Sequence, residues 1–541
     1  MKKNLLRLTI ILAVGSVFFM RPAQSTVWVR NGNFSLEFVD VNLGQGFELT
    51  RYYNSLGFSK SMFGYGWGTA HGMRLGSVAG VMVMVEEIPG GGRSHYVLNK
   101  NLGRLVDKII AVAKVGKNNP SYVAKLKTKL LEDPMLIYEF AVRYKLERAP
   151  KVGVDLECIE RADEKIRKTK NGYVRLRSDG KVDEFDNNGR IIRQKFSSGK
   201  FLLYSYTPRG VLKGLRDQTG HWIKFFFNEE KGLLERVQVS GNMVATYQYD
   251  DRDNLIQSTD INGNTYKYGY NSYHKMTEYT EPPLKPGEEA RKWEMKYEAD
   301  TGKIVYQKTP DGWETYTEYS KDQNKGEYYE AVSVVKRKGK QVQAEKYEFW
   351  KRPKPDGSTY TYKTKQDVSG KVKTVTYTMC CGTPLVVNED GKVTRYEYDT
   401  KSRLKKKVFP DGRIIQIRYD NKNRITSIIN NGRPNVFKYN KKGQMFFAAT
   451  DTIRFKLDYN ASGEVARISD NKKNVFKLRY DKMGRLSAIV SKYGVLSISY
   501  NVRGGIVISS KAGAKENLAK IRRVYQDYLD LMNVFNLVAM I

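Results

Sequence analysis

A tyrosine followed by aspartate or asparagine returns along this chain at a nearly constant interval. Towards the C-terminus the pairs are Tyr398-Asp399, Tyr419-Asp420, Tyr439-Asn440, Tyr459-Asn460, Tyr480-Asp481 and Tyr500-Asn501, separated by 21, 20, 20, 21 and 20 residues. So regular a period restricts the chain to a repeat architecture, in which each unit buries itself against the next. An earlier, more worn block carries Phe185-Asp186, Tyr206-Thr207, Phe227-Asn228, Tyr249-Asp250 and Tyr270-Asn271, spaced 21, 21, 22 and 21. Between 271 and 397 the pattern loosens around the polar stretch EPPLKPGEEARK, with decayed copies near Tyr297 and Tyr319.

The segment RYDKMGRLSAIV, Arg479 to Val490, shows what one unit does. A strand runs up to Tyr480, whose ring packs on a neighbouring unit. Asp481 accepts backbone N–H groups two or three residues on, as Asx turns do. Gly484 supplies the positive φ that closes the turn. Arg485 and Leu486 begin the return strand, and Leu486, Ala488 and Val490 alternate to one face. The position of Gly484 is held by Gly210, Asp253, Asn423, Gly443, Gly463 and Gly504 elsewhere, with Ser402 as the exception. A second turn falls mid-repeat at Pro410-Asp411-Gly412, Asn431-Gly432, Asp470-Asn471 and Tyr493-Gly494. Each repeat is therefore a hairpin of two strands of about six residues, too small to stand alone in water. The sheet grows one hairpin at a time, and its twist curls it into a spiral or partial shell. The expected fold class is mainly β, with a small helical insertion and a C-terminal helix.

Two regions break the period. Residues 104–168 read as helices, with Leu126, Leu130 and Leu131 at helical spacing and Asp133-Pro134 as a helix start. At the C-terminus Leu518, Ile521, Tyr525, Tyr528, Met532, Phe535 and Ala539 form an apolar seam on one helix. That helix either hides the edge of the last hairpin or docks on a partner. The expected organisation is 1–25 signal peptide, 26–103 N-terminal β domain, 104–168 helical insertion, 169–297 first repeat block, 298–390 degenerate repeats, 391–510 second repeat block and 511–541 amphipathic helix.

The N-terminus has the pattern of an export signal: Lys2, Lys3 and Arg7, an apolar run over 8–20, and Ala23-Gln24-Ser25 before Thr26. Removing its four cations, Arg21 included, lowers the formal charge from +35 to +31. Such a charge favours anionic polymers or lipid surfaces, although lysine on the outer face of a β array also serves to keep edges apart. Cys158, Cys380 and Cys381 are too few for a disulfide framework, and His71, His95, His221 and His274 have no metal-ligand spacing. No cofactor is expected. Neither HExxH, GxSxG nor a phosphate-binding glycine loop is present. Carboxylates such as Glu86-Glu87 or Asp183-Glu184 could form an acid pair across strands, and a solvated face is the preferred reading of both.

At the repeat residues the chain resembles the RHS/YD-repeat family: YDKMGRLSAI, YDTKSRLKKKVFPDGR and YDNKNRITSI are similar to its repeat. RYYNSLG, with Arg51, Tyr53, Asn54 and Ser55, and FGYGWG, with Phe63, Gly64, Gly66 and Trp67, are similar to the domain that precedes such repeats. The resemblance covers roughly 26–100 and 171–510. It implies hairpins wound into a spiral or cocoon, as in toxin components, wall-associated proteins and adhesion receptors. The family's C-terminal plug, with Asp-Pro-x-Gly motifs and self-cleavage aspartates, has no counterpart after Tyr500. The expected function is a secreted, non-enzymatic, envelope-associated protein whose basic β surface binds an anionic glycan, a lipopolysaccharide or a protein partner, with nucleic acid disfavoured. The alternatives are a shell or carrier component of a toxin system, and a wall-polymer hydrolase.

Overall fold

A computed structural model of the chain describes residues 24–500 and 506–511, apart from 44–46, 90, 99, 114–118, 162, 197–198, 284–286, 321–327, 355–358, 380–381, 462 and 482–485. The expected signal segment up to residue 23, the C-terminal helix with Leu518, Ile521, Tyr525, Tyr528, Met532 and Phe535, and Gly484, Arg485, Asn501, Gly504, Cys380 and Cys381 lie outside the described residues.

The chain is mainly β. A small antiparallel sheet comes first: β1 (Gln24–Trp28), β2 (Asn33–Asn42) and β3 (Glu48–Asn54), with β4 (Lys60–Ser61) and β5 (Gly64–Tyr65) forming a side ribbon and β6 (Trp67–Gly68) pairing with β3. Strict alternation along β2 buries Phe34, Leu36 and Phe38. A much larger antiparallel sheet begins at β7 (Arg74–Val78), β8 (Met82–Glu86) and β9 (Arg93–Val97) and runs strand by strand to Ile506–Lys511. Among the described residues no register joins that last strand back to β7, so the sheet is a long spiral and not a closed ring.

The hairpins have the expected dimensions. Ile414–Tyr419 pairs with Ile425–Asn430, six residues each, and the register shifts between Arg418 and Tyr419 where the turn begins. Along such strands apolar residues face in and cations face out: Phe476 and Leu478 are buried, while Lys477 and Arg479 are exposed. The loosened middle is the same sheet built from longer strands, Tyr328–Arg337, Lys340–Pro353 and Thr359–Val368, of 10, 14 and 10 residues. Its period is stretched, which is why the repeat fades in the sequence there.

Two expected boundaries are corrected. The helices are α1 (Leu102–Ala113), α2 (Pro120–Glu132) and α3 (Pro134–Arg143), and the rest of 104–168 returns to strand as β10 (Asp155–Cys158) and β11 (Lys165–Thr169). β10 pairs with β9, Glu157 opposite Val97, so the helices are an excursion between two neighbouring strands. Residues 74–97, assigned by sequence to the N-terminal domain, likewise belong to the large sheet. Pairing across some sixty residues leaves no local pattern to read. Asp133 does cap α3, its Oδ1 accepting from the N–H of Met135 at 3.0 Å. The helices bury Leu105, Ile109 and Ile137 against Met82 and Val97 in a core of their own.

The spiral brings distant repeats together. The turns near 178 and 199 lie against those near 423 and 442: Asn423 Nδ2 donates to the Ser178 carbonyl at 3.4 Å, and a Cβ on Gly199 would sit 2.0 Å from the Lys442 carbonyl oxygen. This seam joins the first repeat block to the second.

Candidate functional site

The repeat turn recurs with one construction in the second block. Asp399 Oδ1 accepts from the N–H of Lys401 at 2.9 Å and of Arg403 at 3.0 Å, and its Oδ2 takes Arg403 Nε at 2.8 Å. Asp420 holds Lys422 and Arg424 in the same manner. In these two turns the second backbone bond goes four residues on, whereas at Asn228 the bonds go to Glu230 and Lys231, two and three residues on, as expected. Residue five of the turn matches the first: Arg faces Asp399 and Asp420, Gln444 faces Asn440, and Glu464 faces Asn460. Burial pushes the Asp399 carboxyl up, but bonds from Arg403 outweigh it and hold the group below its usual range. Ser402, at φ +56°, takes the same left-handed backbone as Asn423, Gly443 and Gly463, so it is no exception in conformation.

The tyrosines do more than pack. Tyr398, Tyr419, Tyr439 and Tyr480 donate their hydroxyls to the carbonyls of Pro384, Leu404, Ile425 and Val465 at 2.7, 2.9, 2.8 and 2.8 Å. Tyr459 does so to Met445, and Tyr206, Tyr249, Tyr270 and Tyr319 repeat the contact in the earlier strands. Each hydroxyl thus fixes the previous hairpin. Burial pushes the Tyr419, Tyr439 and Tyr459 hydroxyls up to about 12, so they remain donors at any physiological pH. Arg403 and Arg424 lie over the rings of Tyr419 and Tyr439, 4.4 and 4.6 Å from the centroids.

The N-terminal motif residues converge where the small sheet seats on the first repeat block. Arg51 is fully buried; Nε and Nη2 meet Asp40 at 2.7 and 3.0 Å, and Nη2 also reaches Ser258 Oγ at 2.9 Å and Tyr268 Oη at 3.2 Å. Tyr247 donates to Asp40 at 2.9 Å, and the guanidinium lies 4.6 Å from the Trp67 ring centroid. Trp67 Nε1 donates to Tyr270 Oη at 2.8 Å, and Tyr53 Oη accepts from the Met276 N–H at 2.7 Å. Phe63 meets Tyr247 edge to face, and Lys275 Nζ donates to the Ser55 carbonyl at 2.7 Å. Asn54 Oδ1 accepts from the Leu56 N–H at 3.0 Å. Gly64, at φ +87°, lies so close to the Asp253 carbonyl that a Cβ would sit 2.3 Å from it, and Gly66 lies against the Tyr53 ring. These residues dock one β unit on another.

The weighed carboxylates are held by arginines. Arg175, fully buried, puts Nη2 2.6 Å from Glu87 and 2.9 Å from Glu164, with Nη1 3.5 Å from Asp183. Burial pushes the Glu87 carboxyl up, but Arg175, Arg161 and Arg177 overcome this and bring it down to about 2. Burial dominates at Asp183 and raises it. Glu86 and Glu184 face Arg93 and Arg193 at 3.5 and 3.8 Å. His71 bonds the Glu48 carbonyl and Tyr204, and burial lowers its pKa.

Open clefts among the described residues include two on the large sheet. One, of about 340 Å³, lies on the seam and is lined by Arg177, Lys181 and Lys195 on one wall and Lys422, Arg424, Lys441 and Lys442 on the other. The other, of about 640 Å³, lies beside Tyr306 and Tyr316, whose rings are 5.0 Å apart. Sequence reasoning missed both the seam and the match at the fifth turn residue. The second was legible in the pairs Asp399/Arg403, Asp420/Arg424 and Asn440/Gln444; the first was not.

A teneurin YD-shell family model matches residues 354–501, an RHS-repeat model matches 249–282, and a domain of unknown function, DUF6531, matches 24–91. These spans fall on the end of the degenerate repeats with the second block, on the repeats that receive Arg51, and on the small sheet with the start of the large one. This is an RHS/YD-repeat protein. Solved structures similar to the RHS/YD-repeat protein include a TcdB2-TccC3-Cdc42 complex, with 11% identity, a TM-score of 0.40, and 90% of this chain and 30% of that chain covered. Another is the Photorhabdus luminescens Tc holotoxin pore with TccC3, with 13% identity, a TM-score of 0.35, and 88% and 27% covered. The chain spans less than a third of the length of either. No curated protein matches it.

Proposed function

We propose that this RHS/YD-repeat protein is an exported shell or carrier component of a toxin-type system, holding a protein partner through its spiral and its C-terminal segment. The supporting observation is the seat of the small sheet: one β unit packs its buried face against tyrosines of the first block, fixed by Arg51, Trp67 and Tyr53. A spiral that holds one guest by its buried face is suited to holding another. The export signal ending at Ala23-Gln24-Ser25 agrees with that role, and the apolar seam from Leu518 to Phe535 supplies a second grip. The test is purification from culture medium of the full chain and of a chain lacking 513–541. The full chain is expected to elute with a second polypeptide at fixed stoichiometry, and the shortened chain without it. Elution of the full chain alone sinks the proposal.

A second reading is binding of an anionic envelope glycan or lipopolysaccharide. It is favoured by one strip of the outer face, where the Tyr306 ring lies tilted against Tyr316 and Tyr328 against Trp350, with Lys336 and Lys363 over the Tyr316 and Trp350 rings at 4.8 and 4.6 Å. Aromatic faces stack on sugars and cations pair with acids. Retention on immobilised lipopolysaccharide should weaken with salt. Equal retention on neutral and acidic columns defeats this reading. The hydrolase alternative gains nothing, since the carboxylates weighed for it are engaged by arginines.

A further inference from the structure

The seam cleft combines features that neither reading above uses. Its walls come from repeats about 240 residues apart, and its lining holds seven cations and no carboxylate. Three of the seven have partners nearby: Lys181 lies 3.0 Å from Asp179, Arg424 lies 2.6 Å from Asp420, and Arg177 faces Glu87 and Asp179 at 3.5 and 3.6 Å. Lys195, Lys422, Lys441 and Lys442 have no carboxylate within 4.0 Å among the described residues. At the lining, Arg424 Nη1 is buried without a hydrogen-bond partner among the described residues, while Arg177 Nε has Asp179 Oδ1 3.6 Å away. Cations so close together repel within a screening length of about 8 Å. The direct ties across the seam here are the Asn423–Ser178 bond and the backbone contact of Gly199 with Lys442.

We propose that this cleft binds a small multivalent phosphate anion that bridges the two walls and latches the seam. Guanidinium and ammonium groups together favour a phosphate over a carboxylate of equal charge. The space of about 340 Å³ admits a short polyphosphate or a phosphorylated sugar but no folded polymer. The proposal stands apart from both readings above: the seat of the small sheet and the aromatic strip lie elsewhere on the spiral.

The test is calorimetric titration of the full chain with tripolyphosphate and, separately, with glucose 1,6-bisphosphate, at about 0.15 M salt. Saturable one-to-one binding of at least one probe, with a raised melting temperature, is expected. The triple variant K422Q/K441Q/K442Q should bind at least about tenfold more weakly, since three charges leave the site. The triple variant K340Q/K371Q/K392Q, of equal charge and outside the cleft, should bind within about twofold of the parent. The tighter probe tells a free polyphosphate from a phosphosugar. No saturable binding of either probe, or equal loss in the two triple variants, overturns the latch.

Discussion

Replacing Arg51 by methionine should free the small N-terminal sheet from the first repeat block. The substitution keeps an apolar stem among Phe38, Phe63 and Trp67 but removes the one cation that, among the described residues, pairs with Asp40, which is 1% exposed. Among the described residues the Asp40 carboxylate then keeps the Tyr247 hydroxyl as its side-chain donor, while Ser258 and Tyr268 lose a donor. Breaking a buried ion pair from one side costs about 3–5 kcal/mol. That corresponds to roughly a 150- to 5,000-fold shift in the opening equilibrium. Hydrogen exchange of the amides over 33–54 measures that equilibrium directly. The double variant D40L/R51M buries no charge and should recover all but about 1–2 kcal/mol, the remainder reflecting stranded hydroxyls. If R51M exchanges within about threefold of the parent, or if D40L/R51M is as open as R51M alone, the pair is not what seats the domain.

Gly199→Ala and Gly412→Ala separate the seam from ordinary turn strain. Both glycines have φ near +84°, so each alanine costs about 1–2 kcal/mol from the left-handed backbone. Only at 199 does the new Cβ meet the Lys442 carbonyl, and about 1–3 kcal/mol more is expected there in urea unfolding; equal losses would mean the seam carries no weight. Acid should loosen the Glu87–Arg175 cluster. The Glu87 pKa falls from its ordinary 4.5 to about 2 in the fold, so its contribution is full above pH 4.5 and is lost as pH falls towards 2. Asp183, raised by burial, works in the opposite sense as it is protonated. Melting curves across that window should be flatter for Glu87→Gln than for the parent, and matching slopes would refute the assignment.

How far the sequence could be read depended on the distance over which each contact acts. The Tyr-Asp period, the turn closed by Gly443 or Asn423, and the Asp133 cap are settled within about twenty residues, and each is written locally. The end of the helical excursion at Arg143 and the pairing of Glu157 with Val97 join strands across the helices, where no periodicity reports the match. Arg51, Tyr53 and Trp67 were recognisable as a set, yet their partners Tyr247, Tyr268 and Met276 lie some two hundred residues away. The sequence by itself determined the unit: a hairpin too small to hide its own apolar face, repeated until neighbours hide it. Only the tertiary structure decided which turns meet when the twisting sheet comes round, because the seam between 178–200 and 423–442 depends on curvature summed over every strand between them.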